Sequence, residues 1–315
     1  MNIYEAILSA LKYTLGVIPL IISGIILATF FEKIGFIQKL TWISKPVIRY
    51  GHLSKISGLS FITAFASPTT ANAILFNHYQ KRNINTKELF ISVLSHSFPS
   101  ILLNSRYILP IILPLLGNVG FFYFMIILFV GLMKTVCVLT IGKFILSKKK
   151  RPSTFEPTKK VNQESIVNLL KKSVITSLPL IKKVIILTTP ITFLTFVLIE
   201  FKLFNILEVY LKDRVTIIPI PSEGLSIVAA RFAHGFAAYT VAGNLLSEGI
   251  MNSKEIIISL LTANILASLI TALRVSSPSF IGIFGFNLGL KLMMLSILIK
   301  IPFMIGIILM LFYFW

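Results

Sequence analysis

Acidic residues are scarce in this chain. It has eleven Asp+Glu in 315 residues, with Asp213 the sole aspartate, against 30 Lys+Arg, for a formal charge of +19. With so few carboxylates, neither a Ser/His/Asp triad nor a carboxylate pair assembles from the apolar segments, and no enzymatic activity is expected. Cysteine is nearly missing too. Cys137, within MKTVCVLTIG, stands alone, which excludes a disulfide framework and any CxxC metal or redox pair. The four histidines, His52, His78, His96 and His234, find no anionic or soft co-ligands in the apolar segments, so neither a metal site nor any other cofactor is expected. Charged residues amount to 13% of the chain, about half of what a soluble domain carries.

Apolar runs take their place. Hydrophobic residues make up 56% of the chain and the mean hydropathy is +0.89. Several runs approach the ~20 residues that a bilayer-crossing helix needs. The expected fold class is therefore an all-α polytopic protein, multi-pass in the cell membrane and in contact with its lipids. The first run, residues 6–31 interrupted by Lys12, is too long for the h-region of a secretion signal and lacks a basic n-region, so it is expected to stay in the membrane. The Lys and Arg residues stand singly between apolar runs or at their ends, with no basic face beside stacking aromatics. Nucleic acid is not an expected partner.

An internal repeat organises the chain. Gly58-Leu59-Ser60 returns as Gly224-Leu225-Ser226, an offset of 166, and Asn85-Thr86-Lys87-Glu88 returns as Asn252-Ser253-Lys254-Glu255, an offset of 167. Arg106-x3-Pro110 followed by Gly117 returns as Arg274-x3-Pro278 followed by Gly285, an offset of 168. Three landmarks in one order with so little drift define two copies, 1–146 and 166–315. Between them, 147–165 (SKKKRPSTFEPTKKVNQES) reads as a basic, solvated, cytoplasmic linker.

Each copy holds an interrupted segment. In the first, Ser67-Pro68-Thr69-Thr70 sits inside an apolar stretch; in the second, His234-Gly235 does. Proline removes a helix donor and the threonines can bond the loosened backbone, so broken or re-entrant helices are expected at both places. Asn85 with Glu88, and Asn252 with Glu255, have the spacing of a helix-capping box. Irregular zones are then expected at Pro99 to Pro110 and at Arg274 to Pro278, before closing helices at 119–146 and 287–314.

If the interrupted segments are re-entrant, each copy crosses three times and the second is inverted. Loop charge favours this arrangement over four crossings with parallel copies. The first copy's loops hold Lys39, Lys45, Arg49, Lys55, Lys81, Arg82 and Lys87; the matched loops of the second hold Glu208, Lys212, Asp213, Arg214, Glu223, Glu248, Lys254 and Glu255. The positive-inside rule places the former in the cytoplasm and the latter outside, with both termini outside.

The GLS entries, the SPTTAN and AHGFAAYT breaks, the NTKE and NSKE helix starts and the duplicated R-x3-P resemble the Gate, or nucleoside-recognition, membrane domain. That family contributes halves to concentrative nucleoside transporters, ferrous-iron transporters and spore-maturation membrane proteins. The resemblance covers most of both copies and implies a nucleoside or another polar cargo. The chain departs from the iron transporters in lacking a GTPase domain and a paired cysteine.

Inverted repeats with discontinuous helices are the construction of secondary transporters. Arg106 and Arg274 sit beside the breaks, and Lys134 aligns with Lys300; intramembrane cations are costly and usually face a cavity or a partner. No carboxylate falls centrally in a span, so the cations suggest an anionic ligand that the arginines grip bidentately. Helix capping by the arginines and snorkelling by the lysines are the structural alternatives. Hydrogen bonds to cargo would come from Ser67, Thr69, Thr70, Asn72 and Asn104 in the first copy and from His234, Tyr239, Thr240, Asn244, Ser276 and Ser277 in the second. His96, Lys134 and Lys300 are the candidates for proton coupling, although a lone histidine on a membrane helix is more often a packed, hydrogen-bonded residue. The expected function is a secondary transporter or flippase for a phosphate- or carboxylate-bearing solute or lipid headgroup. A carrier of neutral nucleosides and a non-transporting membrane scaffold are the alternatives, and a homo-oligomer stays open.

Overall fold

The computed structural model describes residues 44–146, 165–200 and 220–314, with scattered positions among the first thirty. Expectations resting on Lys39, the linker before Ser165, and Glu208 to Arg214 lie outside these residues. Among the described residues all regular structure is helical.

The described positions among the first thirty residues are helical, and the continuous elements start with α1 (Ser44–Tyr50) and α2 (Lys55–Ala64). The interruption expected at Ser67 follows, and α3 (Pro68–Gln80) starts beyond it with proline in its first turn. Next come α4 (Thr86–Ser95) and α5 (Ser97–Ile145), hinged at His96. The long α6 (Ile166–Glu200) precedes a second interrupted pair, α7 (Gly224–Ala233) and α8 (Gly235–Ser247), parted at His234. Then α9 (Ser253–Leu266) leads through the one-turn α10 (Ser268–Thr271) and a π-helical turn (Ala272–Ser276) into α11 (Ser277–Phe284) and α12 (Phe286–Phe314).

The segment from Pro99 to Pro110 departs from expectation. It is helical throughout, with Pro110 inside α5. The irregular points flank it instead, at His96 and at Gly117, where φ is 53° and ψ −131°. Only glycine takes such backbone angles cheaply. A Cβ on Gly120 would lie 2.6 Å from the carbonyl oxygen of Ile112, so α5 folds back at Gly117 into two arms, 97–116 and 118–145. The second half repeats the device. Gly285 has φ 76°, and a Cβ on Gly289 would lie 2.6 Å from the carbonyl oxygen of Phe280 on α11.

The helix starts also differ from one another. Asn252 and Glu255 form the full reciprocal cap of α9. The Asn85 side chain accepts from Glu88 N at 2.8 Å, but the Glu88 carboxylate crosses to α2, accepting from Ser54 N at 2.8 Å and Ser57 Oγ at 2.9 Å. Glu88 is buried. One carboxylate thus ties the start of α2 to the start of α4.

Two apolar clusters interlock the halves, and a third lies within the first. Leu75, Leu89 and Val93 of α3 and α4 pack with Phe284 and Leu292 of the second hairpin. Reciprocally, Ile227, Ala238 and Ile257 of α7 to α9 pack with Ile111, Tyr123 and Val130 of the first. A third cluster sets Phe61 and Leu94 against Val138 and Leu139. Among the described residues, two helical stretches are long and apolar enough to cross a membrane, the hinged run Thr86–Ile145 and Phe286–Phe314. Their outer faces leave Phe122, Phe129 and Phe144, and Leu298 and Met310, exposed.

Gly120→Ala and Gly289→Ala should each destabilise the protein by about 1–3 kcal/mol, because the neighbour is helix backbone and cannot step aside. Gly306, with nothing within 4 Å of its Cβ position, is the control. Gly306→Ala should be neutral or stabilising by up to about 1 kcal/mol. Melting temperatures of the purified variants check this; a Gly120→Ala protein as stable as the parent would refute the close approach of the two arms.

Candidate functional site

A cavity of about 620 Å3 lies where the first interruption, the two arms of α5, the π turn with α11, and α12 converge. The helix breaks bring polar groups to it. Ser67 caps α3, its hydroxyl accepting from Thr70 N at 3.2 Å, and both Ser67 and Thr69 face the space. Thr69 Oγ1 lies 3.5 Å from Ser279 Oγ across it. At the α4–α5 hinge, His96 is buried; its Nδ1 lies 3.1 Å from Asn72 Oδ1 and its Nε2 lies 3.2 Å from Ser60 Oγ. The Ser60 hydroxyl also donates to Ala71 O at 2.8 Å. This bonding holds the imidazole edge of the cavity in one orientation and ties α2, α3 and α4 together.

Three cations line the cavity: Arg106, Lys134 and Lys300. No Asp or Glu does among the described residues. Lys134 is 4% exposed, and its ammonium donates to Ser296 Oγ of α12 at 2.6 Å. Lys300, one turn beyond Ser296, donates to Asn264 Oδ1 at 2.6 Å, and Asn264 Nδ2 reaches the Tyr123 hydroxyl at 3.3 Å. Both lysines are therefore turned inward and fixed by neutral acceptors. Arg106 donates to the Tyr107 hydroxyl at 2.6 Å and lies 4.8 Å from the centre of that ring.

Of the residues singled out by sequence, Ser67, Thr69, Asn72, His96, Asn104, Arg106, Lys134, Ser276 and Lys300 come together here. Others have separate local roles. Thr70 Oγ1 lies 2.8 Å from Ser67 Oγ within the α3 cap. His234 caps α8, its Nδ1 accepting from Phe236 N at 3.2 Å, and Thr240 back-bonds to Phe236 O at 3.1 Å. Tyr239 packs edge-on to Tyr123 in the core; Asn244 accepts from Ser247 through its carbonyl; Ser277 donates to Leu273 O. Arg274 stands on the π turn, its side chain outside the described residues. Sequence reasoning missed Ser97, Ser100, Tyr107, Ser279 and Ser296, which also line the cavity. For Ser296 a signal existed, since it precedes Lys300 by four residues and so shares its helix face.

Asn72→Leu should destabilise the protein by about 1–3 kcal/mol, because it orphans the buried His96 Nδ1. Thr70→Val, at an exposed position, should stay within about 0.5 kcal/mol. Comparing the two melting temperatures tests whether the His96 bonding holds the hinge; equal effects would reject it.

No family model matches the chain, and no solved structure does. Three proteins of Methanocaldococcus jannaschii are similar along nearly their whole length. Uncharacterized protein MJ1556 is 32% identical over 285 residues, 90% of this chain and 90% of its own. Uncharacterized protein MJ0871 is 27% identical over 286 residues, 90% of this chain and 88% of its own. Uncharacterized protein MJ0880 is 27% identical over 306 residues, 96% of this chain and 98% of its own. The chain belongs to the family of MJ1556.

Proposed function

We propose that the protein is a multi-pass carrier of the cell membrane that moves a polar anion, free or attached to a lipid, by alternating access around this cavity. The observation that carries the reading is the lining itself. Lys134 and Lys300, with Arg106, face a common space that no carboxylate enters among the described residues. A cation taken out of water is stable only beside a counter-charge or dense hydrogen bonding, and each ammonium has a neutral acceptor instead. An anion supplies the missing charge. The exposed apolar faces of α5 and α12 suit lipid, and the interrupted helices with matched glycine reversals suit two repeats whose joint holds the site.

Loop charge orients these repeats oppositely. Asn83 and Glu248 are exposed at matched loops, and Glu248 is preferred to Gly249, whose φ of 69° disfavours a side chain. In Asn83→Cys and Glu248→Cys proteins in intact cells, an impermeant maleimide should label the second and spare the first. Equal labelling of both would refute inversion.

A neutral nucleoside is the second reading, favoured by the hydroxyl and amide wall of Ser67, Thr69, Asn72 and Asn104. Uptake of labelled inorganic phosphate, glycerate and uridine into proteoliposomes separates the two. Anion uptake should fall at least about tenfold in Arg106→Gln, a loss of about 1.4 kcal/mol in binding or barrier. Uridine uptake indifferent to that change would favour the nucleoside reading. No uptake of any probe would leave the scaffold.

A further inference from the structure

We infer that the group held between Lys134 and Lys300 is the dianion of a phosphate monoester, its organic remainder lying along the hydroxyl and amide wall toward Ser67 and Asn72. This rests on the anion-carrier reading and narrows it.

The two lysines come from different hairpins yet meet at one helix face. Lys134, on the second arm of α5, bonds Ser296 at 2.6 Å, and Lys300 follows Ser296 by four residues on α12, which puts it on the same face one turn along. Among the described residues each ammonium is held by a single neutral acceptor, Ser296 Oγ or Asn264 Oδ1, so its place is set while its charge is not cancelled. A monoanion meets one of these charges and leaves the other buried against it. A dianion meets both.

Shape points the same way. A planar carboxylate is matched by the fork of a guanidinium, whereas lysine ammoniums act as point charges with rotatable donors and suit a tetrahedral head. Size leaves room for more than a bare ion. The cavity, about 620 Å3, falls in the ~300–1,000 Å3 range of sites for organic molecules. A soluble phosphate ester and a lipid phosphomonoester share this head.

The test is calorimetric titration of the full chain in nanodiscs of neutral lipid at about pH 7, where the ester, with a second pKa of about 6, is mostly a dianion. Glycerol 3-phosphate should bind at least about tenfold more tightly than glycerate, and Lys134→Gln or Lys300→Gln should reduce that preference to about threefold or less. Ser296→Ala keeps both charges but frees Lys134, and should weaken glycerol 3-phosphate several-fold while sparing glycerate. Melting temperatures verify that each variant is folded; if Lys134→Gln is not, Lys300→Gln and Ser296→Ala decide the matter. In a second preparation containing phosphatidic acid, loss of glycerol 3-phosphate binding assigns the head to a lipid, and unchanged binding assigns it to a soluble ester; both support the phosphomonoester. Equal affinity for glycerate and glycerol 3-phosphate overturns the two-charge head and leaves the anion carrier standing. Binding of uridine with neither anion overturns both.

Discussion

A helix interrupted among apolar neighbours strands backbone donors at its new start and acceptors at its new end, and without water these must be met by side chains. In this chain the provision is visible at three helix starts. The Ser67 hydroxyl meets Thr70 N, the His234 imidazole meets Phe236 N, and the Glu88 carboxylate reaches from α4 to Ser54 N at the start of α2. The consequence is spatial as well as energetic. Caps are polar, and a helix that starts in the interior carries its cap there, so Ser67 and Thr69 arrive at the cavity because α3 begins beside it. The cavity's polar wall is a by-product of making the break affordable.

The charged part of the wall has a different origin. Lys134 and Lys300 belong to long continuous stretches, where nothing about the backbone requires a polar neighbour. They face each other's half because the hairpins interlock: α3 and α4 pack on Phe284 and Leu292, while α7 to α9 pack on the arms of α5. If the halves rock against one another, as the carrier reading supposes, the Lys134–Ser296 contact joins a helix of each and must change with the motion. A ligand that bridges both lysines then has a different affinity for each arrangement, which is the requirement for cargo to bias a conformational equilibrium.

Much of this was legible in the sequence where proline, glycine or a cap residue marks the backbone. Ser67-Pro68 and His234-Gly235 locate the interruptions, and the matched Gly117 and Gly285 locate the chain reversals. The helix reading failed at Pro99 to Pro110, because a proline is compatible with a helix wherever neighbouring structure holds it, and the reversal there is made by Gly117. Side-chain facing was less legible. Helices apolar on all sides carry no amphipathic stripe to say which way Ser100, Ser279 or Asn264 points, and only packing decides it. Glu88 shows the same limit: its spacing from Asn85 fits a local cap, yet the carboxylate serves another helix.

Symmetry reasoning from the repeat also selected His234, Tyr239, Thr240 and Asn244 as counterparts of Ser67 to Asn72, and none of them lines the cavity. Arg231 supplies the physical reason. A Cβ on Gly235 would strike the Arg231 guanidinium, which lies against the start of α8 and 6.0 Å from the centre of the Tyr239 ring. At an offset of 166 to 167 the first half has Ala64 and Phe65 in the corresponding place, both buried in apolar surroundings. The second interruption is thus filled by a side chain of its own helix, and the first is left open to the hairpin of the other half. Two similar breaks in the backbone differ in what meets them, a long cation at the second and the polar cavity at the first.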